Sequence, residues 1–382
     1  MKKSILFVIN GYYIGGVTKA FISFVKQIDF SRYNVFLFST RDSTIWQEKL
    51  PKQITVLHKN EIDKNRGMGS IFNNIFCRVM VRMAKSDAEA DYWAVQTWNI
   101  PDEKFDYVIC YNGQDMATIS IACRFRAKKY LIWFHGAVST LGSKFITLTR
   151  KKLGQFSTAV SVSKTLVDDI LSVYPQLKEK IAVVHNSVDA ERIFRLSLGE
   201  MPITLKRNAI VTVGRLSYEK GQDMIPATVR MLLDAGYEVY WYLVGEGTAR
   251  KEICSEIERY NVGDNVILLG ETDNPFPYMR ACDLYVQPSR TEGWGLTVQE
   301  CKVVGTPSVV TPIPAFLEQI RDKDNGVVAD SVSAEALFRA VGFALDNISL
   351  LSHIESNLKK NNYDSKYGVI QFYHVLEKMG DK

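Results

Sequence analysis

RTEGWGLTVQE occupies residues 290–300, between an apolar run that predicts a buried strand and a predicted helix over 296–304. Gly293 and Gly295 allow the backbone to come close to a ligand because they lack a Cβ atom. The start of the predicted helix offers unpaired N–H groups and a positive dipole end, which suit a phosphate. Glu292 lies in the turn and Glu300 lies inside the helix. A tight turn with two solvated acids explains these residues equally well, so the stretch alone leaves both interpretations open.

The composition predicts a two-domain globular protein. The chain has 382 residues, and its hydrophobic content of 46% is enough for sizeable cores. The net charge of +5 is mild, and the basic residues are not interleaved with aromatic ones, which argues against a nucleic-acid-binding protein. None of the six cysteines forms a C-x-x-C pair, so we expect reduced, buried thiols rather than disulfides or a zinc site.

The first residues predict a strand rather than a signal peptide. Their apolar core, residues 5–9, is short and is followed by polar Asn10. No run in the sequence approaches the roughly 18 apolar residues of a membrane span. The sequence therefore predicts a cytoplasmic protein.

Strands and helices alternate along both halves of the chain, which predicts two parallel-sheet α/β domains over 1–195 and 205–363. An irregular polar stretch at 191–207 predicts the linker, and the helical segment 364–382 is long enough to return to the first domain. Predicted strands of the first domain lie at 5–9, 35–38, 54–57, 107–110, 130–134, 158–162 and 181–184. Those of the second lie at 208–213, 239–244, 266–269, 284–287, 307–310 and 326–329.

The segment 64–85 contains five basic residues and no acid, and its apolar residues recur at helical spacing. A basic amphipathic helix suits a membrane surface with anionic lipid headgroups. We expect the membrane contacts to include Arg66, Arg78, Arg82 and Lys85. A helix packed on its own domain, with a solvated basic edge, is the alternative.

Polar residues and glycines of the first domain follow predicted strands, at the edge where parallel sheets bind ligands. Gly16 lies at the start of a predicted helix, where backbone N–H groups suit a phosphate. His135 ends the strand 130–134, and a structural histidine is the alternative interpretation. Ser163 predicts a helix cap.

The second domain repeats this pattern with cations added. Gly214, Arg215 and Lys220 share one loop, which combines the glycine and the positive charge that phosphate recognition requires. Gly245 ends the next predicted strand. The one D-x-D sequence that suggests a metal, residues 322–324, precedes a strong Asn-Gly turn signal, so we predict a surface turn and no metal site.

With these motifs, nearly the whole chain resembles the retaining family 4 glycosyltransferases of the GT-B fold. Beside the 290–300 stretch, the motifs in the family's order are Gly15-Gly16, His135-Gly136, Ser161-Val162-Ser163, Asn186-Ser187-Val188-Asp189, Gly214-Arg215-Leu216, Lys220-Gly221, Gly245-Glu246-Gly247 and Gly305-Thr306-Pro307. The resemblance implies two Rossmann-like domains facing across a cleft.

The resemblance also implies a nucleotide-sugar site. Arg215 and Lys220 would bind the donor diphosphate and stabilise the leaving group. Gly16 would approach that diphosphate across the cleft. Glu300 would bind the ribose. The remaining donor contacts would be Gly214, Gly245, Glu292, Gly293, Trp294, Gly295 and Leu296, with the sugar held by Glu292 and the backbone of the three residues after it.

His135 would contact the sugar from the other domain, near the reacting centre. Enzymes of this family are thought to react on one face through an oxocarbenium-like state, with the leaving phosphate helping to deprotonate the acceptor and no metal required. Two departures stand out: Trp294 replaces the commoner phenylalanine or tyrosine, and TPIPAFLEQI at 311–320 replaces the usual Gly-Gly before a P-E segment. The second resembles a subset from Gram-positive surface-polysaccharide clusters.

The leading hypothesis is a transferase that moves a sugar, most simply from a UDP-sugar, to a lipid-linked glycan in surface or capsular polysaccharide synthesis. The protein would then lie peripherally on the inner face of the cell membrane. The alternatives are a GT-B epimerase acting on a UDP-sugar and a non-catalytic nucleotide-sugar-binding subunit. The few histidines offer little acid–base chemistry for the first, and the presence of Arg215, Lys220 and Glu292 argues against the second.

Overall fold

The computed structural model describes residues 2–11, 15–41, 48–58, 68–360 and 366–380, without the side chains of 68–74. The chain divides into two compact units. The first unit comprises Met1–Ser187 with Lys366–Lys382, and the second comprises Val188–Ser365. Each unit is built on one parallel β-sheet.

The first unit has a seven-stranded sheet of order β3-β2-β1-β4-β5-β6-β7. Its strands are β1 (Lys3–Ile9), β2 (Tyr33–Ser39), β3 (Thr55–Leu57), β4 (Lys104–Cys110), β5 (Arg126–Phe134), β6 (Thr158–Ser161) and β7 (Ile181–Val183). Its helices before the chain leaves the unit are α1 (Gly16–Val25), α2 (Met68–Met83), α3 (Asp87–Ala94), α4 (Met116–Ala122), α5 (Ser143–Lys152) and α6 (Lys164–Val173). The central strand β1 is apolar and buried over 5–9, because helices cover both faces of a parallel sheet.

The second unit has a six-stranded sheet of order β10-β9-β8-β11-β12-β13. Its strands are β8 (Ala209–Val213), β9 (Tyr240–Val244), β10 (Val266–Gly270), β11 (Leu284–Gln287), β12 (Ser308–Val310) and β13 (Val327–Val328). Its helices are α7 (Ala190–Ser197), α8 (Ile225–Asp234), α9 (Arg250–Arg259), α10 (Phe276–Ala281), α11 (Leu296–Val304), α12 (Pro314–Leu317), α13 (Ala334–Asp346) and α14 (Ile348–Lys360).

The chain ends in a helix of the first unit, α15 (Tyr367–Gly380). Phe372 packs edge-to-face on Phe24 with ring centroids 5.2 Å apart. The Asp29 N–H donates to the Tyr373 hydroxyl at 2.6 Å. These contacts tie the C-terminal helix to α1 and to the loop that follows it.

The predicted class of fold, two doubly wound parallel-sheet domains, is confirmed. The predicted linker at 191–207 is wrong in its first half, because Ala190–Ser197 forms α7 and buries Ile193 in the second unit. The chain therefore changes unit at Ser187, before the predicted linker begins. Asp189 caps this helix by accepting from the Arg192 N–H at 3.0 Å.

The strand orders place a topological switch point beside the first strand of each unit. In the second unit, β8 and β11 are neighbours, and the connection after β8 runs to β9 whereas the connection after β11 runs to β12, in the opposite direction. Ligands of open α/β sheets bind in the crevice at such a point. We therefore expect a ligand-binding site at the loops after β8 and β11.

Candidate active site

Lys220 and Glu292 meet at the switch point of the second unit. The Lys220 Nζ atom lies 2.6 Å from Glu292 Oε1, and both side chains are largely buried. Lys220 belongs to the loop after β8 and Glu292 to the loop after β11, so the fold brings together residues that are 72 apart in sequence. The structure thus joins two of the predicted site residues in one ion pair.

The two loops touch because Gly221 lacks a side chain. Its φ of +71° is a left-handed conformation, and a Cβ atom there would lie 2.0 Å from the Pro288 carbonyl oxygen. The Arg290 N–H also donates to the Glu219 carbonyl at 2.8 Å. This close approach sets the spacing between the lysine and the carboxylate.

Arg290 fastens the same two loops through its side chain. Its guanidinium makes two hydrogen bonds of 2.6 Å to the Asp223 carboxylate. The guanidinium also donates to the Tyr218 carbonyl at 2.7 Å and lies 4.1 Å from the centre of that ring. The hydrogen bond to Asp223 raises the pKa of Arg290. Arg290 lies in the 290–300 stretch, but the sequence does not predict this role, because the bidentate partner is 67 residues away and carries no sequence signal.

Arg215 lies on the exposed side of the site, with 61% of its side chain accessible. Its Nη2 atom lies 2.6 Å from Glu219 Oε1, and its carbonyl accepts from Gln222 Nε2 at 2.9 Å. Burial opposes ionisation of Glu219, but hydrogen bonds from its own backbone N–H, Ser217 and Arg215 prevail and lower its pKa. The guanidinium is thus anchored yet open to a ligand.

Glycines line the neighbouring loop edges. Gly245 has a φ of +147°, and a Cβ atom there would lie 2.0 Å from the Gly214 carbonyl oxygen. The Gly214 N–H donates to the Val244 carbonyl at 2.9 Å, and the Gly245 N–H donates to the Gly270 carbonyl at 2.8 Å. The loops after β8, β9 and β10 therefore run side by side next to Arg215.

The glycine-rich turn leads directly into α11, whose predicted bounds are confirmed. Gly295 caps the helix with a φ of +85°, and a Cβ atom there would lie 2.4 Å from the Phe316 ring. The Trp294 indole is buried and donates to Gln299 Oε1 at 2.9 Å, so only its backbone can face a ligand. No side chain caps the helix N-terminus among the described residues. Leu296 begins the helix, and Glu300 lies inside it, as predicted.

His135 is the site residue predicted in the first unit, and it follows β5 directly. Its Nε2 atom lies 2.8 Å from the Tyr111 carbonyl oxygen, which fixes the proton on Nε2 because a carbonyl can only accept. Nδ1 is buried and has no hydrogen-bond partner in the described part of the chain. Burial lowers the pKa of His135 to about 3, opposed by that hydrogen bond. The ring is therefore neutral at physiological pH and carries a lone pair at Nδ1.

Two other predictions for the first unit have different outcomes. Gly16 begins α1, and no side chain caps that helix in the described region. Ser163 caps α6 by accepting from the Leu166 N–H at 3.2 Å, so its predicted structural role is confirmed. The roles of Gly16 and His135 toward a donor stay predictions.

The basic segment forms α2 over its described part. Arg66 lies outside the described residues, whereas Arg78, Arg82 and Lys85 are exposed. Exposed apolar side chains alternate with them, among which Phe76 is 53% and Met83 is 67% accessible. Cys77 is buried and points the opposite way. We call the exposed residues Ile75, Phe76, Arg78, Val79, Arg82, Met83 and Lys85 the α2 surface.

The predicted turn at residues 322–324 is confirmed. Lys323 has a φ of +62°, its N–H donates to the Gly326 carbonyl at 2.7 Å, and Asp324 pairs with Arg321. Within the described residues, no three histidine, cysteine, aspartate or glutamate side chains form a metal-binding group. No disulfide joins any of the six cysteines, all of which lie in the described ranges. No helix in the described ranges is long and apolar enough to cross a membrane.

Comparison with known proteins agrees with this geometry. Residues 199–361 match the family model described as Glycosyl transferases group 1. An uncharacterized glycosyltransferase of Methanocaldococcus jannaschii is 25% identical over 54% of this chain and 55% of its own length. A Campylobacter jejuni protein, N-acetylgalactosamine-N,N'-diacetylbacillosaminyl-diphospho-undecaprenol 4-alpha-N-acetylgalactosaminyltransferase, is 25% identical over 52% of this chain and 53% of its own length. The chain thus spans about half the length of the curated relatives it matches.

Among solved structures, the crystal structure of Anabaena Alr3699/HepE in complex with UDP-glucose superposes with a TM-score of 0.70 at 17% identity, covering 100% of both chains. This likeness shows the fold, which is that of the GT-B glycosyltransferases. The matched family model covers most of the second unit, where Lys220 and Glu292 meet. The family match is thus confined to the second unit, and the likeness to solved structures shows the fold.

Proposed function

We propose that the protein is a retaining, metal-independent family 4 glycosyltransferase that uses a nucleoside diphosphate sugar as donor. The observation that carries this proposal is the pairing of Lys220 with Glu292 at the switch point, beside the exposed cation of Arg215. Two cations suit the diphosphate, and a carboxylate at the same place suits the hydroxyl groups of a sugar.

In the proposed reaction, the bond between the anomeric carbon and the diphosphate oxygen breaks, and a bond forms from that carbon to the acceptor oxygen. The acceptor proton passes to the leaving phosphate. Arg215 and Lys220 stabilise the charge that develops on the diphosphate, and such electrostatic stabilisation is usually the largest single contribution to catalysis. Glu292 orients the sugar, and Glu300 binds the ribose.

The donor and acceptor follow from similarity and are proposals. The Anabaena protein of the same fold is described with UDP-glucose, which favours a UDP-sugar here. The Campylobacter relative is named for an undecaprenol-diphosphate-linked acceptor, which favours a lipid-linked glycan in polysaccharide synthesis.

A lipid-linked acceptor would require the protein to reach a membrane, and the α2 surface supports this. Its apolar side chains are at least 45% exposed, although Phe76 also meets the Trp93 ring edge-to-face at 5.7 Å, and Arg78 and Arg82 lie among them. Exposed apolar and basic groups together match an anionic bilayer surface.

Incubation of the purified protein with a panel of UDP- and GDP-sugars and lipid-linked acceptors tests the proposal. We expect a glycosylated lipid and release of the nucleoside diphosphate, and NMR of the new linkage should show the donor's anomeric configuration. An epimer formed from donor alone would point to the epimerase. Tight binding of donors without turnover of any of them would point to a binding subunit, and the transferase proposal would then fail.

A further inference from the structure

A chain of buried polar side chains runs from the core of the second unit to Glu292. Tyr285 and Gln287 lie on β11, Ser289 follows the strand, and all three are fully buried. Tyr285 Oη donates to Gln287 Oε1 at 2.6 Å, and Gln287 Nε2 donates to Ser289 Oγ at 3.0 Å. Ser289 Oγ then donates to Glu292 Oε1 at 3.0 Å. Every donor in this chain is directed toward the carboxylate.

The direction of this hydrogen-bond chain is fixed at its end, because the Glu292 carboxylate that pairs with Lys220 can only accept. Ser289 therefore donates its proton to Glu292, and its oxygen accepts from the Gln287 amide N–H group. Gln287 Oε1 then faces Tyr285 and Thr297, whose hydroxyls donate to it at 2.6 and 3.1 Å.

These hydrogen bonds hold Glu292 by one carboxylate oxygen, Oε1. Both Lys220 and Ser289 bind Oε1, at 2.6 and 3.0 Å, so neither of these contacts engages Oε2. A carboxylate fixed in this way has a defined orientation and one oxygen left to accept from a ligand. Hydrogen bonds to a charged group are strong enough to hold such an orientation.

We propose that Gln287 and Ser289 are positioning residues that orient Glu292 so that its Oε2 accepts a hydrogen bond from a hydroxyl group of the donor sugar. This inference rests on the proposed function. It adds two buried residues that do not touch the substrate and act through Glu292. A purely structural role for them would stabilise the sheet without affecting the chemistry.

Ser289→Ala tests the proposal against a matched control. Thr212 is another buried hydroxyl of the same sheet, and it donates to the Val286 carbonyl at 2.6 Å and accepts from the Trp241 indole at 3.0 Å. We expect Ser289→Ala to lower kcat/KM for sugar transfer by roughly tenfold to a hundredfold, the size of one lost hydrogen bond to a charged group. Thr212→Val should lower thermal stability but leave kcat/KM within about twofold.

Gln287→Glu provides a measurement that distinguishes positioning from a purely structural role. A structural role would not change the pH dependence of kcat/KM. An ionised carboxylate at 287 accepts from Ser289 and draws that proton away from Glu292, whereas a protonated one donates as the amide does. Burial raises the pKa of such a carboxyl group. The ionisable groups around it are Lys220, Glu292, Glu300, Cys301 and Tyr285. We therefore expect the ratio of variant to native kcat/KM to rise as the pH falls from about 8 to about 5.5.

The outcomes separate the two proposals. If the native protein neither binds UDP nor transfers a sugar, the proposed function fails. The positioning role is supported if three results hold together. The native protein is active, Ser289→Ala retains UDP affinity, and kcat/KM falls in Ser289→Ala but not in Thr212→Val. Equal activity of Ser289→Ala and Thr212→Val, or a Gln287→Glu ratio that does not change with pH, would overturn it.

Discussion

Arg215 and Lys220 are each paired with a carboxylate of their own unit, and the two pairs differ in environment. The Arg215–Glu219 pair is largely solvated and contributes little to stability. The Lys220–Glu292 pair is mostly buried, so removal of one partner leaves the other poorly solvated. The Lys220 ammonium has three donors, so it can bind a diphosphate while it keeps Glu292 Oε1, which would leave Oε2 to the sugar.

The buried neutral His135 gives a prediction for acid stability. Its folded pKa of about 3 lies below the ordinary value of 6.5, so the unfolded chain binds an additional proton between these values. The stability it contributes is present above pH 6.5 and is lost as the pH falls toward 3. We expect His135→Gln to reduce the slope of unfolding free energy against pH in this window by about 1.4 kcal/mol per pH unit.

Urea unfolding at a series of pH values measures this slope. The same substitution at His353, on the exposed face of α14, controls for the change from histidine to glutamine itself. A slope in His135→Gln equal to that of the native protein would contradict the buried neutral histidine.

Arg290 gives a prediction about the spacing of the site. Arg290→Gln leaves the Asp223 carboxylate without its bidentate partner, so we expect a loss of about 1–3 kcal/mol in unfolding free energy. UDP affinity should fall as well, because the loops that carry Lys220 and Glu292 are no longer fastened. Arg290→Lys should be intermediate, since lysine keeps the charge but not the fork geometry.

The control is Arg339, which pairs with Asp330 on the exposed surface of the same unit. Arg339→Gln should change the unfolding free energy by less than about 1 kcal/mol and leave UDP affinity unchanged. Equal UDP affinity in native protein and in Arg290→Gln would show that the Arg290–Asp223 pair does not set the spacing of the loops that carry Lys220 and Glu292.

At the scale of elements, hydrophobic patterning predicted the strands within a few residues, because buried parallel strands are short apolar runs. Helix α7 was missed because its charged residues resemble a linker, although Asp189 gave a capping signal. Glu292 and Lys220 could be predicted because they lie in contiguous motifs. The Arg290–Asp223 pair and the chain through Gln287 could not, because they depend on which loops the sheet brings together.

Helix α2 gives a prediction about membrane binding. Replacing Arg78, Arg82 and Lys85 with glutamate should release the protein from vesicles containing anionic lipid, because each basic residue near such a surface contributes about 1 kcal/mol. Replacing Phe76 and Met83 with serine should weaken binding with no change in charge. Co-sedimentation with vesicles of phosphatidylglycerol and of neutral phosphatidylcholine measures both effects.

The control places the same change in net charge elsewhere on the first unit. Lys164, Lys178 and Lys180 are exposed and lie outside α2, so their replacement with glutamate should leave vesicle binding largely intact. Equal loss of binding in the two triple variants would mean that net charge alone drives association. Unchanged binding in the α2 variant would contradict the proposal that the α2 surface binds a membrane.

At the scale of the whole molecule, the first unit includes α15, to which the chain returns after the second unit. Phe372 of α15 packs against Phe7 and Phe24, with ring centroids 6.2 and 5.2 Å apart. Ending the chain after residue 365 should therefore expose this core and remove the first unit's melting transition. The continuous second unit, Val188–Ser365, should keep its own.

Calorimetry and hydrogen exchange followed by mass spectrometry can assign each transition to its unit. A chain that lacks only residues 381 and 382 is the control and should melt like the native protein. Retained protection of β1 and β4 in the truncated chain would show that α15 is dispensable to the first unit.

In the proposed function, Lys220 binds the donor diphosphate and Glu292 binds its sugar. Isothermal titration of the full chain with UDP and with the preferred UDP-sugar separates these roles. Lys220→Ala should weaken both ligands by at least about tenfold, whereas Lys251→Ala, an exposed control on α9, should weaken neither. Glu292→Gln should retain UDP affinity but lose the additional affinity that the sugar provides. Native UDP affinity in Lys220→Ala, or an unchanged sugar contribution in Glu292→Gln, would contradict the account.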